Sequence, residues 1–427
     1  MTERYERNTA VSDLLVYGTT WCTDCRRSKQ FLGEQRVPYT FVDVDADADG
    51  LEVVEKHNAG KRIIPTIFLP DGQVLVEPSN AELAQALGIK TTGTRTFYDL
   101  VIVGSGPAGL TAALYAAREG MDVLVVERAA AGGQAGITEK LDNLPGFPEG
   151  ISGAEFADRL RRQAERFGVE VVTAVDVTEI GVDPQSGQSA DPATALKVVR
   201  TAAGEEYRSY AVLLALGSTY RRLGIDGEED FIGAGVHFCA TCDGPFYRGG
   251  KVLVVGGGNS AGEESLFLTR FAREVVIVTR GNDLSASRTV AEKVHGHSQI
   301  TVRGNTSPVA FKGRAGENGG KLATVVLEGP DGQTEESFDG VFVFIGLLPN
   351  TDVVKDVIAL DQFGFALTDG MLTTSVPGIF AAGDVRQGST KQAASAAGEG
   401  ATAALAIRRY VEPLAGGVPD RMTVEAQ

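Results

Sequence analysis

One glycine-rich turn constrains this chain more than any other feature of its sequence. The apolar run 98–103 leads into Gly104-Ser105-Gly106-Pro107-Ala108-Gly109, and a helical pattern and a second apolar run at 123–126 follow. Strand, glycine turn, helix and strand in this order are what a dinucleotide-binding βαβ unit requires. Glu127 ends the second run, 23 positions after Gly104, where a carboxylate can bind a ribose hydroxyl. The sequence therefore predicts a Rossmann-like parallel sheet that binds a dinucleotide.

The same pattern occurs a second time. The apolar run 251–255 leads into Gly256-Gly257-Gly258-Asn259-Ser260-Ala261, and a helix and a strand at 274–278 are expected after it. The position 23 residues after Gly256 is Thr279, which is no carboxylate, and Arg280 follows it. Because an arginine in place of the acid favours a 2′-phosphate, we expect NADPH at this loop and FAD at the first. The alternatives are a solvated Arg280 at a strand end and NADH as the nucleotide.

All four cysteines lie in two CxxC pairs, Cys22–Cys25 and Cys239–Cys242. In a chain that is not secreted, such pairs indicate redox or metal chemistry. Structural zinc needs four ligands, and no histidine lies at ligand spacing near the first pair, so we expect no metal. The second pair comes just before the second glycine loop. We therefore expect it to take electrons from bound nucleotide cofactors and to pass them to another disulfide.

The first 90 residues have the element order of a thioredoxin-type fold. A strand at 13–17 precedes the first CxxC, and a helix, a strand, a helix, two strands and a last helix follow as far as about residue 87. The dipole of a helix that begins at a cysteine favours the thiolate. We expect Cys22 to be the exposed nucleophile and Cys25 the resolving thiol, with Pro65 facing the pair.

Composition excludes several other functions. The net charge of −16 argues against nucleic acid as a partner, because binding to phosphates relies on lysine and arginine. No apolar run approaches the ~18 residues of a membrane span, and the N-terminus has no apolar signal region. We expect a cytoplasmic protein that does not contact membranes. The polar, glycine-containing stretch 88–96 is typical of a linker, long enough to let the N-terminal part occupy more than one position.

Two resemblances to known families support this interpretation. Residues 11–90 resemble the glutaredoxins, most closely their mycoredoxin-like branch, through LLVYGTTWCTDCRRSK, RIIPTIF and EPSN. The chain from Tyr98 onward resembles the low-molecular-weight thioredoxin reductases. The motifs that carry this second resemblance are GSGPAGLTAALYAAREG, GGQ, NLPGFPEGISG, CATCDGPFYRGGKVLVVGGGNSAGEE, FVFIGLLPN, GIFAAGDVR and KQAASAAGEG.

The second resemblance implies the residues that bind the cofactors. FAD is expected against Gly104, Gly106, Pro107, Ala108, Gly109, Glu127, Gly133, Gln134, Asn143, Gly383, Asp384, Gln392 and Ala393. NADPH is expected against Gly256, Gly258, Asn259, Ser260, Glu263 and Arg280.

The resemblance also implies unequal roles for the residues of the second CxxC. Cys242 is expected to be the charge-transfer thiol beside the flavin, and Cys239 the thiol that attacks the disulfide of the partner. Asp243 is the expected proton donor. An aspartate that only caps a turn is the plainer interpretation of Asp243, and both roles can hold together.

The fold class that follows is α/β, with an N-terminal thioredoxin-like fold and two Rossmann-like dinucleotide-binding domains. We expect an extended or disordered segment at 1–10, a glutaredoxin-like domain at 11–90 and a linker at 91–97. The FAD domain is expected at 98–218 and 340–427, with the NADPH domain inserted at 219–339. By resemblance, the inserted domain rotates about connections near Gly217 and Gly346, and the protein is a homodimer.

The expected function is a flavoprotein disulfide reductase that passes electrons from NADPH through FAD to Cys239–Cys242. The acceptors are the fused Cys22–Cys25 and then thioredoxin- or glutaredoxin-like proteins. The relatives that use NADPH have a His-Arg-Arg cluster where this chain has Thr279, Arg280 and Gly281, so a relative driven by NADH or ferredoxin is an alternative. A flavoprotein that reduces a peroxiredoxin and a redox sensor of low turnover are two more.

Overall fold

The computed structural model describes residues 14–19, 21–138, 140–183, 194–313 and 321–415. The N-terminal segment that we expected to be extended or disordered, at 1–10, lies outside the described residues. Among the described residues, no helix has the length and hydropathy of a membrane span.

The N-terminal unit is a four-stranded sheet with helices packed on it. Its elements are β1 Leu15–Gly18, α1 Thr23–Glu34, β2 Thr40–Asp43, α2 Ala48–His57, β3 Thr66–Phe68, β4 Val74–Val76 and α3 Asn80–Ala86. The strand order is β2-β1-β3-β4, with β1 parallel to β2 and antiparallel to β3. Side-chain caps start both later helices, from Asp47 for α2 and from Ser79, paired with Glu82, for α3. The predicted thioredoxin-like fold is confirmed.

The next part of the chain, with the last strand and helix, forms what we call the split unit. Its first elements are β5 Phe97–Val103, α4 Pro107–Arg118, β6 Val123–Val126, α5 Gly133–Ile137, α6 Gly153–Glu165, β7 Glu170–Val172, β8 Val177–Val182, β9 Lys197–Thr201 and β10 Glu206–Leu214. The sheet order is β7-β6-β5-β10-β9-β8. Strands β5, β6, β7 and β10 are parallel, as the first glycine turn predicts.

A second parallel sheet forms the inserted unit, and two short strands join it to the split unit. The elements that follow are β11 Ser218–Tyr220, β12 Val236–His237, α7 Ala240–Asp243, β13 Lys251–Val255, α8 Asn259–Leu268, β14 Glu274–Val278, α9 Arg288–His295, β15 Ile300–Arg303, β16 Ser307–Gly313, β17 Leu322–Gly329, β18 Gly332–Ser337, β19 Gly340–Val343 and β20 Leu347–Pro349. The parallel order is β12-β19-β13-β14-β15, and β16-β17-β18 form an antiparallel sheet beside it. Strands β11 and β20 pair antiparallel as a connecting ribbon.

The chain then returns to the split unit with β21 Ile379–Ala381, which pairs with β10, and with α10 Ala393–Ala415. The small residues of α10 let it pack directly on α4. A Cβ at Gly400 would overlap the backbone of Ala108, and a Cβ at Gly109 would overlap the carbonyl oxygen of Gly104. Glycine is therefore needed at both positions, because the backbones approach too closely for any side chain.

One expected boundary lies too early. We placed the second segment of the FAD domain from residue 340, but β19 at 340–343 is the second strand of the inserted sheet, between β12 and β13. The chain leaves the inserted unit only at β20. A strand that is apolar on both faces fits either parallel sheet, so its sequence does not say which one it joins.

The stretch 88–96 is not a free linker in the structure. Lys90 forms an ion pair with Glu170, and its carbonyl oxygen accepts from Thr173 N at 2.9 Å. Gly93 N donates to the Tyr207 hydroxyl at 2.9 Å. The segment is tied to the edge of the split unit along its length, so the N-terminal unit is docked and not merely tethered.

Candidate active site

The second CxxC lies at the contact between the inserted and split units. Cys239 and Cys242 form a disulfide with a Cα–Cα distance of 5.3 Å, and the Cys239 sulfur caps the short helix α7 by accepting from Cys242 N at 3.2 Å. Gln392 Nε2, from the split unit, is 4.0 Å from the Cys239 sulfur. Gln392 in turn accepts from Asn143 Nδ2 at 3.0 Å. The disulfide therefore lies near Gln392, which was predicted, like its partner Asn143, to contact the flavin.

Asp243 is part of a partly buried polar chain that the sequence did not reveal. Its carboxylate lies 3.3 Å from His237 Nδ1, and His237 Nε2 lies 2.5 Å from the Tyr247 hydroxyl. The imidazole is buried beside the ring of Phe342. Such a chain can hold and move a proton next to the disulfide. Its sequence signal was a histidine only two positions before Cys239 in a strand-like run, at Val236-His237.

Tyr220, on the connecting ribbon, is a second site residue that the sequence did not single out. Its ring stacks on Phe238 at a centroid distance of 5.0 Å. Burial, followed by the negative charges of Asp384 and Asp243, raises the pKa of Tyr220 to about 12. Burial also raises the pKa of Asp384. This region therefore favours protonated, uncharged groups beside the disulfide.

Three glycine loops meet at the beginning of α4. Gly106 precedes the helix without any side-chain cap, and a Cβ placed there would meet no atom within 4 Å. A Cβ at Gly133 would lie 3.2 Å from Gly106 Cα, and one at Gly383 would lie 3.1 Å from the Ala108 side chain. The open space and the uncapped N–H groups are what a pyrophosphate needs, so these residues fit FAD.

The structure also gives the positions of four more residues that were predicted to bind FAD. Glu127 Oε2 accepts from the backbone and hydroxyl of Ser105 at 2.8 Å each, which fixes the carboxylate and leaves lone pairs for a ribose. Pro107 opens α4, Gln134 lies on α5 and Ala393 begins α10.

The second glycine loop has the same open form. Gly258 precedes α8 with no side-chain cap, and a Cβ there would meet nothing within 4 Å. Asn259 accepts from Ser287 N at 2.6 Å, which brings the start of α9 next to the loop. Asn259, Ser260, Glu263 and Arg280 are exposed around it. Arg288, with 91% of its side chain exposed, is a second cation at this site.

The N-terminal dithiol lies at the beginning of α1. The Cys22 sulfur accepts from Cys25 N at 3.1 Å, the contact expected for a thiolate at a helix N-terminus. Our expectation of an exposed Cys22 is wrong, since the residue is only 8% exposed beside the carbonyl oxygen of Ile64. The Ile64–Pro65 bond is cis. The loop that carries Pro65 covers the sulfur, and only tertiary packing could show this.

Cys25 differs strongly from Cys22. It is 0% exposed, and burial, followed by the hydrogen bond with Cys22, raises the pKa of its thiol to about 12. The neighbouring Trp21 is 64% exposed and donates to Asp45 at 2.8 Å. No cluster of three or more potential metal ligands occurs among the described residues.

Comparisons with known proteins agree with this geometry. Residues 98–400 match the pyridine nucleotide-disulphide oxidoreductase family, and residues 14–75 match the glutaredoxin family. A thioredoxin reductase of Treponema pallidum is 40% identical over 321 residues, which cover 75% of this chain and 99% of that protein. A bifunctional thioredoxin reductase/thioredoxin of Mycobacterium leprae is 40% identical over 77% of this chain and 69% of its own length.

Solved structures give the same result. The thioredoxin reductase of Streptococcus pyogenes is 38% identical, with a TM-score of 0.69, and the match covers 75% of this chain and 100% of that chain. The enzyme of Giardia duodenalis is 30% identical, with a TM-score of 0.67, over 74% of this chain and 100% of its own.

Proposed function

The chain belongs to the thioredoxin reductases, within the pyridine nucleotide-disulphide oxidoreductases, and carries a glutaredoxin domain at its N-terminus; on this premise we propose that its first acceptor is its own Cys22–Cys25 pair. The enzyme is a flavoprotein disulfide reductase that uses FAD and NADPH. The observation that supports the relay most directly is the position of Cys239 against Gln392, with a second dithiol fused to the same chain.

The first half of the cycle reduces Cys239–Cys242. FAD, when bound, supplies the transfer of two electrons from NADPH to this disulfide. The S–S bond breaks, Cys242 remains as the thiol beside the flavin, and Cys239 becomes the attacking thiol. Asp243 provides a proton to the Cys239 sulfur as the S–S bond breaks and takes it back before the exchange, and His237 holds the carboxylate of Asp243 in place.

The second half of the cycle is a thiol–disulfide exchange. The Cys239 thiolate attacks the Cys22 sulfur of the oxidised N-terminal pair, because Cys25 is fully buried. Cys25 leaves as a thiolate and takes up, through solvent, the proton that the Cys242 thiol gives up. Cys242 then attacks Cys239, re-forms the first disulfide and releases Cys22 as a thiolate. The two electrons have then moved from one dithiol to the other.

A movement of the inserted unit must come between the two halves. Cys239 lies against the split unit, and the N-terminal unit is docked on that same unit. We propose that the inserted unit rotates about the connecting ribbon. Gly217 and Gly346 flank the ribbon with φ values of 66° and 109°, which glycine tolerates best. Rotations of this kind occur in microseconds to milliseconds.

The reduced N-terminal dithiol then passes electrons to an outside thioredoxin- or glutaredoxin-like disulfide. The exposed Trp21, beside Cys22, supports the idea of a protein surface as the partner. We also propose a homodimer, supported by the apolar side chains of Leu367, Met371 and Leu405, each at least 37% exposed. Light scattering of the flavinated protein tests the dimer.

Anaerobic titration tests the route. NADPH should bleach the flavin band of the parent protein, and oxidised acceptor protein should restore it over many turnovers. The Cys22→Ser/Cys25→Ser variant should still bleach but should reduce the downstream disulfide at least about tenfold more slowly, since a fused acceptor has an effective concentration in the millimolar range. Cys239→Ser is the control that should bleach without turnover. Equal rates for the parent and the Cys22→Ser/Cys25→Ser variant would disprove the relay.

A further inference from the structure

Three consecutive residues at the end of α1 fix one loop of the split unit. Ala130 N donates to the carbonyl oxygen of Glu34 at 2.9 Å. The side chain of Gln35 donates to the carbonyl oxygen of Arg128 at 3.4 Å, and Arg36 Nη1 donates to that of Ala131 at 3.0 Å. The loop 128–131 is thus held by one carbonyl group and two side chains that lie about 95 residues earlier in the sequence.

This loop connects two parts of the proposed FAD site. It begins directly after Glu127, the expected ribose ligand, and ends at Gly132, whose N–H donates to the carbonyl oxygen of Ser105 at 2.9 Å. Gly133 lies on Gly106 at the beginning of α4. Because both ends of the loop border the dinucleotide, its conformation sets the distance between the groups that bind the ribose and the pyrophosphate.

Arg36 makes the closest contact. Its backbone is left-handed, with φ of 54°. Its guanidinium presses on Gly136 of α5, where a Cβ would overlap it. The negative charge of Glu127 acts on Arg36 across the interface. Its Nε is buried and has no hydrogen-bond acceptor among the described residues, which is unusual for a buried donor unless a ligand or water completes it.

We propose that Arg36 is a positioning residue of the FAD site, contributed by the N-terminal domain. Its guanidinium and the adjoining main chain hold loop 128–131 in the conformation that binds FAD. The inference rests on the proposed location of FAD at Gly106 and Glu127. By linkage, FAD binding must tighten the docking of the N-terminal unit as much as docking tightens FAD binding.

The other end of α1 remains available for redox chemistry. Helix α1 has 12 residues, so Cys22 lies roughly 18 Å from the docking contact along the helix axis. The fused domain can therefore stay docked while its dithiol meets Cys239. Because the docking contact and Cys22 lie at opposite ends of α1, one domain can support the flavin site and also act as electron acceptor.

The test uses full-length apoproteins titrated with FAD, followed by flavin fluorescence. The variants are Arg36→Ala, Arg36→Lys and Lys90→Ala. Arg36→Ala should raise the FAD dissociation constant about tenfold, the effect of losing one hydrogen bond from a charged donor. Arg36→Lys keeps a cation that can reach Ala131 and should stay within about threefold of the parent.

Lys90→Ala is the matched control. Lys90 pairs with Glu170 on the same interface and, among the described residues, forms no hydrogen bond or ion pair with loop 128–131, so its variant should bind FAD like the parent. Circular dichroism checks that all variants are folded. A parent-like dissociation constant for Arg36→Ala would overturn the proposal. Equal weakening by Arg36→Ala and Lys90→Ala would overturn the assignment to Arg36.

Hydrogen exchange tests the reciprocal effect without any turnover. Amides at 34–37 and 128–131 should exchange more slowly with FAD bound than in the apoprotein, and Arg36→Ala should remove most of this difference. Unchanged exchange on FAD binding would refute the linkage. A parent protein that binds no FAD would instead refute the proposed function, so the two failures can be distinguished.

Discussion

The burial of Cys25 predicts a large difference in reactivity between two thiols three residues apart. The perturbation is alkylation of the reduced protein with iodoacetamide. A variant with Cys239→Ser and Cys242→Ser leaves the N-terminal pair as the only thiols in the chain. We expect Cys22 to be alkylated and Cys25 to be protected, because the thiolate is the nucleophile and Cys25 is held as a thiol.

The magnitude follows from the structure. Burial, with the hydrogen bond to Cys22, raises the pKa of Cys25 from 9.0 to about 12. The shift of three units corresponds to about 4 kcal/mol in favour of the protonated form. At pH 8, about one Cys25 in ten thousand is then a thiolate. The side chain is also 0% exposed, so the reagent reaches it only when the domain opens.

The assay is quenched alkylation followed by peptide mass spectrometry, with rates taken from pH 6 to pH 9. Cys25 should react at least about a hundredfold more slowly than Cys22 across this range. In urea both cysteines should react alike, which is the control for intrinsic reactivity. If the folded protein alkylates both cysteines at similar rates, the argument from burial is wrong.

Three further outcomes can be checked. Gly109→Ala should abolish FAD retention and lower the melting temperature, because its Cβ would overlap the carbonyl oxygen of Gly104. Flavin absorbance after gel filtration measures the FAD that is retained. His237→Phe keeps a ring in the buried site but removes the partner of Asp243, so it should slow reduction of the Cys239–Cys242 disulfide about tenfold and change the pH dependence of that rate. His237→Gln should recover part of the rate. Stopped-flow reduction from pH 6 to pH 9 tests both variants, and an unchanged pH profile would exclude a role for the imidazole. Lys197 is fully buried, and burial lowers its pKa from 10.5 to about 8. Between pH 8 and pH 10.5 the unfolded chain therefore binds more protons than the folded chain. Lys197 thus makes the free energy of unfolding rise with pH over that window, by up to about 3 kcal/mol. Lys197→Met should remove that rise, as urea unfolding at pH 7.5 and pH 10 would show, and equal slopes for parent and variant would contradict it.

The sequence by itself determined the parts of this protein that depend on short stretches of chain. A glycine turn between a strand and a helix requires particular residues at fixed spacing, so Gly104, Gly106 and Gly258 could be interpreted directly. The same holds for the CxxC pairs, whose cysteines begin helices α1 and α7. These local signals predicted the α/β class, the thioredoxin-like N-terminal fold and the two parallel sheets.

Only the tertiary structure decided the contacts between residues that are far apart in sequence. Strand β19 could have joined either parallel sheet, because the sequence of a strand that is apolar on both faces does not specify its pairing partner. Two contacts depend on how helices, strands and loops pack together once they have formed. The loop at Ile64 covers Cys22, and Arg36 contacts a loop about 95 residues later. His237 became a site residue only when folding placed it between Asp243 and Tyr247. Such pairings are selected by shape and burial across the whole molecule, which no local pattern encodes.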